Sequence, residues 1–211
     1  MSSNVRLQIL KKINFALLQS TPRPFVPDES GTETYVRNDA ELDLLFAETF
    51  TRLQGNFSYC LNTAEMVHQM TQLATHKAWD KWFCGSKELR LKMEQLGWQL
   101  PWHNDLASCN VAITGCESLV ARTGSMVLSS AASSGRTASV YAPAHICVAY
   151  SHQLVYDISD ALSLLQQKYP GPKMPSLISF ASGPSRTADI EKTLVTGVHG
   201  PKEVFCFLID A

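Results

Sequence analysis

The residues best equipped for chemistry gather towards the end of the chain, where Ser182-Gly-Pro-Ser-Arg-Thr-Ala-Asp-Ile-Glu191 runs directly into Lys192-Thr-Leu-Val-Thr-Gly-Val-His-Gly-Pro201. So short a span holds more donors and acceptors than a buried segment can satisfy within itself. Two upstream stretches share the composition: Arg122-Thr-Gly-Ser125 and Ser133-Ser-Gly-Arg-Thr137. In each, a glycine lets backbone N–H groups approach a ligand, hydroxyls can orient it, and one arginine can grip an oxyanion through two parallel bonds. The pattern predicts an anion pocket in which Arg122, Arg136 and Arg186 hold a carboxylate or phosphate. Thr123, Gly124, Ser125, Ser134, Gly135, Gly183, Ser185 and Thr187 would surround it. His145, Asp189 and His199 are the candidate proton carriers, with Glu117 and Glu191 as further carboxylates. Each has a structural alternative: arginines paired with surface carboxylates, histidines hydrogen-bonded in place, Asp189 capping a helix or orienting Arg186.

Other chemistries lack their signatures. Gly183-Pro-Ser-Arg-Thr187 misses the nucleophile elbow because its fifth residue is Thr, and neither GxxxxGK[ST] nor GxGxxG occurs. The histidines (His68, His76, His103, His145, His152, His199) show no HExxH spacing, so no metal site is expected. Cys60, Cys84, Cys109, Cys116, Cys147 and Cys206 form no CxxC pair. They read as reduced, mostly buried thiols in a cytoplasmic protein, and no iron-sulfur motif or other cofactor motif is identifiable.

The scaffold that must position these loops reads as α/β. With Lys+Arg 18 against Asp+Glu 19, there is no basic field to recruit nucleic acid. Leu7, Leu10, Ile13 and Leu17 recur at helical spacing among Arg6, Lys11 and Lys12, which predicts an amphipathic helix rather than a secretory signal. No run approaches the roughly 20 apolar residues of a membrane span. Thr21-Pro-Arg-Pro-Phe-Val-Pro27 reads as a linker or strap, since its prolines cannot continue a helix. The division expected is 1–38, helix and strap, and 39–211, an α/β domain.

Within that domain, helices are expected over Ala40–Gln54 (Asp39 near its start), Thr63–Thr75, Lys87–Leu96 and Asp157–Lys168. Strands are expected at Phe57–Cys60, Lys81–Cys84, Val111–Thr114, Ser118–Ala121, Met126–Ser129, Ser139–Tyr141, His145–Tyr150, Leu177–Phe180 and Val204–Ile209. Helices between strands imply a mostly parallel sheet, and the short connections of the second half imply that part of it is mixed. Ala188–Val198 suits a helix or a strand, with a short helix favoured.

Ala112-Ile-Thr-Gly-Cys-Glu-Ser-Leu-Val-Ala-Arg-Thr-Gly-Ser-Met-Val-Leu-Ser129, Ser134-Gly-Arg136, Pro143-Ala-His-Ile146 and the Ser182–Pro201 stretch together resemble the LUD-domain family, that of lactate-utilisation protein C. The resemblance runs from about Asp105 to Asp210, and before that rests on element order. It implies a three-layer α/β fold of the NagB, RpiA and CoA-transferase type with a pocket at strand ends. It also implies service in L-lactate oxidation alongside two iron-sulfur partner proteins. Where the family commonly has a glutamate before its Thr-Gly-Thr, this chain has Arg122, which removes an acid or base role there and favours anion binding. The reading that follows is a component of a cytoplasmic lactate-utilisation system that binds a small carboxylate or anionic cofactor. It is more a subunit of a lactate-oxidising complex than an independent enzyme. The alternative is a stand-alone isomerase or transferase of the same fold acting on a sugar phosphate or acyl-CoA.

Overall fold

The computed structural model describes residues 3–18, 40–132, 134–187 and 193–210. The strap Thr21–Pro27, Asp39, Ser133, Asp189, Glu191 and Lys192 lie outside them. The chain divides into two compact units, Met1–Arg37 and Asn38–Ala211. In the first, helix α1 spans Ser3–Leu17. Among the described residues, no helix is long and apolar enough to cross a membrane.

The second unit is built on five parallel strands: β1 (Asn56–Cys60), β2 (Trp82–Cys84), β3 (Val111–Gly115), β6 (Ala144–Tyr150) and β11 (Glu203–Ile209). They lie in the order β1-β11-β6-β3-β2. The central strands β3, β6 and β11 are nearly continuous apolar runs, the pattern of strands buried on both faces. On one face, α3 (Thr63–Lys77) and α4 (Lys87–Gln95) bury Met66, Met70 and Met93 against Ile113, Ile146 and Phe207. Both helices begin on side-chain caps, Asn62 accepting from Glu65 N and Ser86 from Leu89 N. On the other face, α2 (Leu42–Arg52) packs its stacked Phe46 and Phe50 against Cys147, Cys206 and Leu208.

The antiparallel pairing foreseen in the second half belongs to a separate sheet of order β7-β4-β5-β8. Its strands are β4 (Ser118–Val120), β5 (Ser125–Ser129), β7 (Leu154–Val155) and β8 (Ile178–Ala181), and α6 (Ile158–Lys168) covers it through Ala161 and Leu165. The central sheet is parallel throughout.

Two local expectations change. Ser139–Tyr141 is not a strand: Ala138–Tyr141 forms a single helical turn, α5. The reason is a spacing of four, since Ala138 and Ala142 are both buried in one cluster with Ala112. In the Ala188–Val198 stretch, Val195–Thr196 is not helical but forms strand β10, antiparallel to β9 (Arg186–Thr187).

Candidate functional site

At the carboxyl end of the central sheet lies a cavity of about 450 Å³. Such ends are where open α/β sheets place ligands, because chains turning away on opposite faces leave a crevice. Its walls come from the end of β3 and the residues after it (Gly115, Cys116, Glu117), the end of β6 (Val148, Tyr150) with His152 and Gln153 beyond it, Glu88, Leu89 and Lys92 of α4 with its cap Ser86, Ala132 and Ser134, and the end of α6 (Lys168, Tyr169). Gln153 ties the two strand ends together: its amide donates to Cys116 O at 2.6 Å, and its carbonyl accepts from Tyr150 N at 2.8 Å.

Glu117 is the best-held group in this crevice. Its carboxylate accepts from the Ser129 hydroxyl, from Lys168 Nζ at 2.8 Å and from Tyr169 OH at 3.1 Å. Its side chain is 6% exposed, that of Lys168 61%. Burial by itself would raise the Glu117 pKa, but the bonds from Lys168 and Ser129 and the lysine charge outweigh it, and the carboxyl sits below its ordinary value. The bond to Glu117 in turn raises Lys168 above its ordinary value. At neutral pH the pair is fully charged, so Glu117 anchors a cation at the cavity and is no proton donor. A second cation, Lys92, donates to Tyr150 OH at 2.7 Å and lies 4.8 Å from the centre of that ring. Lys92 comes from the α4 face of the central sheet and Lys168 from the opposite face.

A small recess continues inward past Glu117, lined by Thr114, Ser129, Ser134, Gly135 and Ser139. Beside it His145 is buried, its Nε2 2.8 Å from Thr114 Oγ1, and burial lowers its pKa from 6.5 to about 4. His145 is therefore neutral under ordinary conditions.

The three arginine loops do not converge. Only the second reaches the cavity, through Ser134, with Gly135 in the recess. Its Arg136 is exposed and donates to Ser176 Oγ. The first and third loops meet each other, Ser125 Oγ lying 2.8 Å from Thr123 Oγ1 and 2.6 Å from Ser182 Oγ. They sit at the far end of the second sheet: Val120 pairs with Ser125 and Met126 with Ala181, whereas Ser129 pairs with Ile178 at the Glu117 end.

Arg122 donates to Asp157 Oδ1 at 2.7 Å, and Asp157 caps α6. That helix then runs about 16 Å at 1.5 Å per residue before delivering Lys168 to the cavity. Gly124 has φ +56°, and a Cβ there would lie 2.8 Å from Phe50 N. A Cβ on Gly183, at φ +85°, would lie 2.4 Å from Leu53 O. These glycines serve the close approach of α2, not of a ligand. Ser185 is fixed by backbone bonds to Pro201 O and from Gly197 N, both 2.9 Å. Arg186 and His199 are exposed, and Thr187 lies in β9.

Lys92, Tyr150, His152, Gln153, Lys168 and Tyr169 were not singled out by sequence reasoning, and Glu117 was noted without a role. The signal was available: Glu117, His152 and Gln153 stand within three residues of the ends of expected strands, the positions that line a parallel sheet's crevice. Among the described residues, no group of His, Cys, Asp and Glu is arranged to hold a metal ion. Five cysteines are buried, and only Cys116 faces the cavity, its thiol pKa raised well above the ordinary value by the bond with the Cys147 thiol and by burial.

Residues 99–209 match the profile of the LUD domain. Over 102 residues the chain is 36% identical to lactate utilization protein C of Bacillus subtilis and 33% identical to that of Bacillus licheniformis. Each match covers 48% of this chain and 42% of the relative, so the chain matches less than half of those proteins' length. Among solved structures, a DUF162 family protein from Deinococcus radiodurans superposes with a TM-score of 0.59 over 80% of this chain and 96% of its own, at 16% identity. That likeness bears on the fold.

Proposed function

Since the chain belongs to the LUD domain family, we propose that it takes part in lactate utilisation by binding a small carboxylate or an anionic cofactor in the crevice at the carboxyl ends of β3 and β6. The observation that carries the reading is the placement of Lys92 and Lys168 around one cavity from opposite faces of the sheet, beside the hydroxyls of Ser134 and Tyr150. Glu117 fixes one cation without being consumed as an acid, and Lys92 supplies the second. An anion entering between them gains charge-assisted bonds in a crevice partly shielded from water. On this reading the arginine loops are scaffold: Arg122 sets the start of α6, and the Ser125–Ser182 contact locks the far end of the second sheet. The redox step passes to iron-sulfur partner proteins, as the resemblance implies, in the cytoplasm.

The test is thermal unfolding of the purified chain with L-lactate, pyruvate or phosphate. A ligand that binds only the folded state stabilises it by about 2.7 kcal/mol at 100 times its dissociation constant. At least one anion should raise the melting temperature, and Lys92→Ala should abolish the rise. No shift from any of the three defeats the reading. Turnover of lactate by the isolated chain would replace the partner-dependent account with that of an independent enzyme.

A further inference from the structure

The crevice is large for a three-carbon acid. Pockets of 300–1,000 Å³ are those that enclose drug-sized ligands, and about 450 Å³ falls within that range, whereas lactate has only six non-hydrogen atoms. The lining is also divided by chemistry. Towards Glu117 and Lys168 it is charged and rich in hydroxyls. Along β6 it carries two ring systems, Tyr150 and His152, stacked with centroids 5.7 Å apart and planes within 17°. His152 is exposed. Lys92 sits at the ring pair, donating to Tyr150 OH at 2.7 Å.

Resting on the proposed anion site, we infer that this cavity receives an anion of nucleotide size, a planar heteroaromatic ring joined to a phosphate. The ring lies on His152, whose own stacking on Tyr150 keeps it flat against the wall. The phosphate draws on Lys92 and Lys168 through charge-assisted bonds. Val148 and Leu89 supply the apolar stretch of wall beneath the connecting sugar. No covalent step is involved; the assignment concerns occupancy alone.

Binding of ADP, inorganic phosphate and L-lactate to the full chain, measured by calorimetry, tests it. ADP should bind at least tenfold more tightly than phosphate or lactate. His152→Ala, an exposed position that does not threaten folding, should cut ADP affinity about tenfold and leave phosphate affinity unchanged, and Lys92→Ala should weaken both. If ADP binds no more tightly than phosphate, or His152→Ala leaves the ratio of the two unaltered, the inference is overturned. The anion reading still stands in that case if phosphate or lactate binding is lost in Lys92→Ala. If none of the three binds, both fall together.

Discussion

His145 offers the most direct check on the geometry. It is 1% exposed and its pKa is lowered from 6.5 to about 4 by burial. Between those values the unfolded chain takes up a proton that the folded chain refuses, so acid favours unfolding. This contribution to stability is complete above the unfolded value and is lost as pH falls from 6.5 towards 4. At 1.36 kcal/mol per pKa unit the full loss is about 3 kcal/mol, and at pH 5.0 it is about 2 kcal/mol. Against the 5–15 kcal/mol that hold an ordinary domain folded, this is a large fraction. Urea unfolding, followed by circular dichroism at pH 7.5 and pH 5.0, measures it. The control is His145→Gln, which removes the titrating ring and leaves every carboxylate in place. Wild type should lose about 2 kcal/mol more than the variant over that interval. Equal losses in the two proteins refute the claim that His145 is held neutral beside Thr114.

Gly124→Ala forces a Cβ to 2.8 Å from Phe50 N at a positive φ, and should lower stability by about 2 kcal/mol or more; a normal urea midpoint would show that the loop is not pressed against α2. Lys168→Ala leaves the nearly buried Glu117 without its cation. It should cost about 1 kcal/mol, discounted because the lysine is mostly exposed, and should raise the Glu117 pKa; NMR titration of the carboxyl carbon would reveal its failure to move. Arg122→Ala frees the start of α6 from its ion pair and should lower the melting temperature, with a cost of about 1 kcal/mol, while Arg186→Ala should leave both melting temperature and anion protection as in wild type. Loss of anion protection in Arg186→Ala would return the site to the third loop.

Much of the scaffold was legible because each element's pattern agrees with its burial. Val111–Thr114, His145–Tyr150 and Val204–Ile209 read as strands and are the buried centre of the parallel sheet. The helices expected over Thr63–Thr75 and Lys87–Leu96 form as α3 and α4. Ser139–Tyr141 misled because three residues suit a strand as well as a turn of helix, and only the contact of Ala138 and Ala142 with the sheet decides. The resemblance to the LUD family was readable from residues 112–201, and it agrees with the profile match over 99–209.

The arginine loops show where sequence stops. Their composition states what they can do locally: turn tightly, donate, carry charge. Whether three such loops form one pocket depends on strand direction, and the register of β4, β5 and β8 puts the first and third at the end of the second sheet away from the second. Arg122 and Lys168 lie at opposite ends of one helix, and only the packed structure tells which end faces the crevice. Glu117, Lys92 and Lys168 come from three distant elements, and no spacing in the chain announces that they line one cavity. The sequence thus determined the elements, the fold class and the family, because helix and strand periods and caps are local properties. Tertiary structure decided which side chains share the cavity, because that depends on directions and distances between elements, which local chemistry does not set.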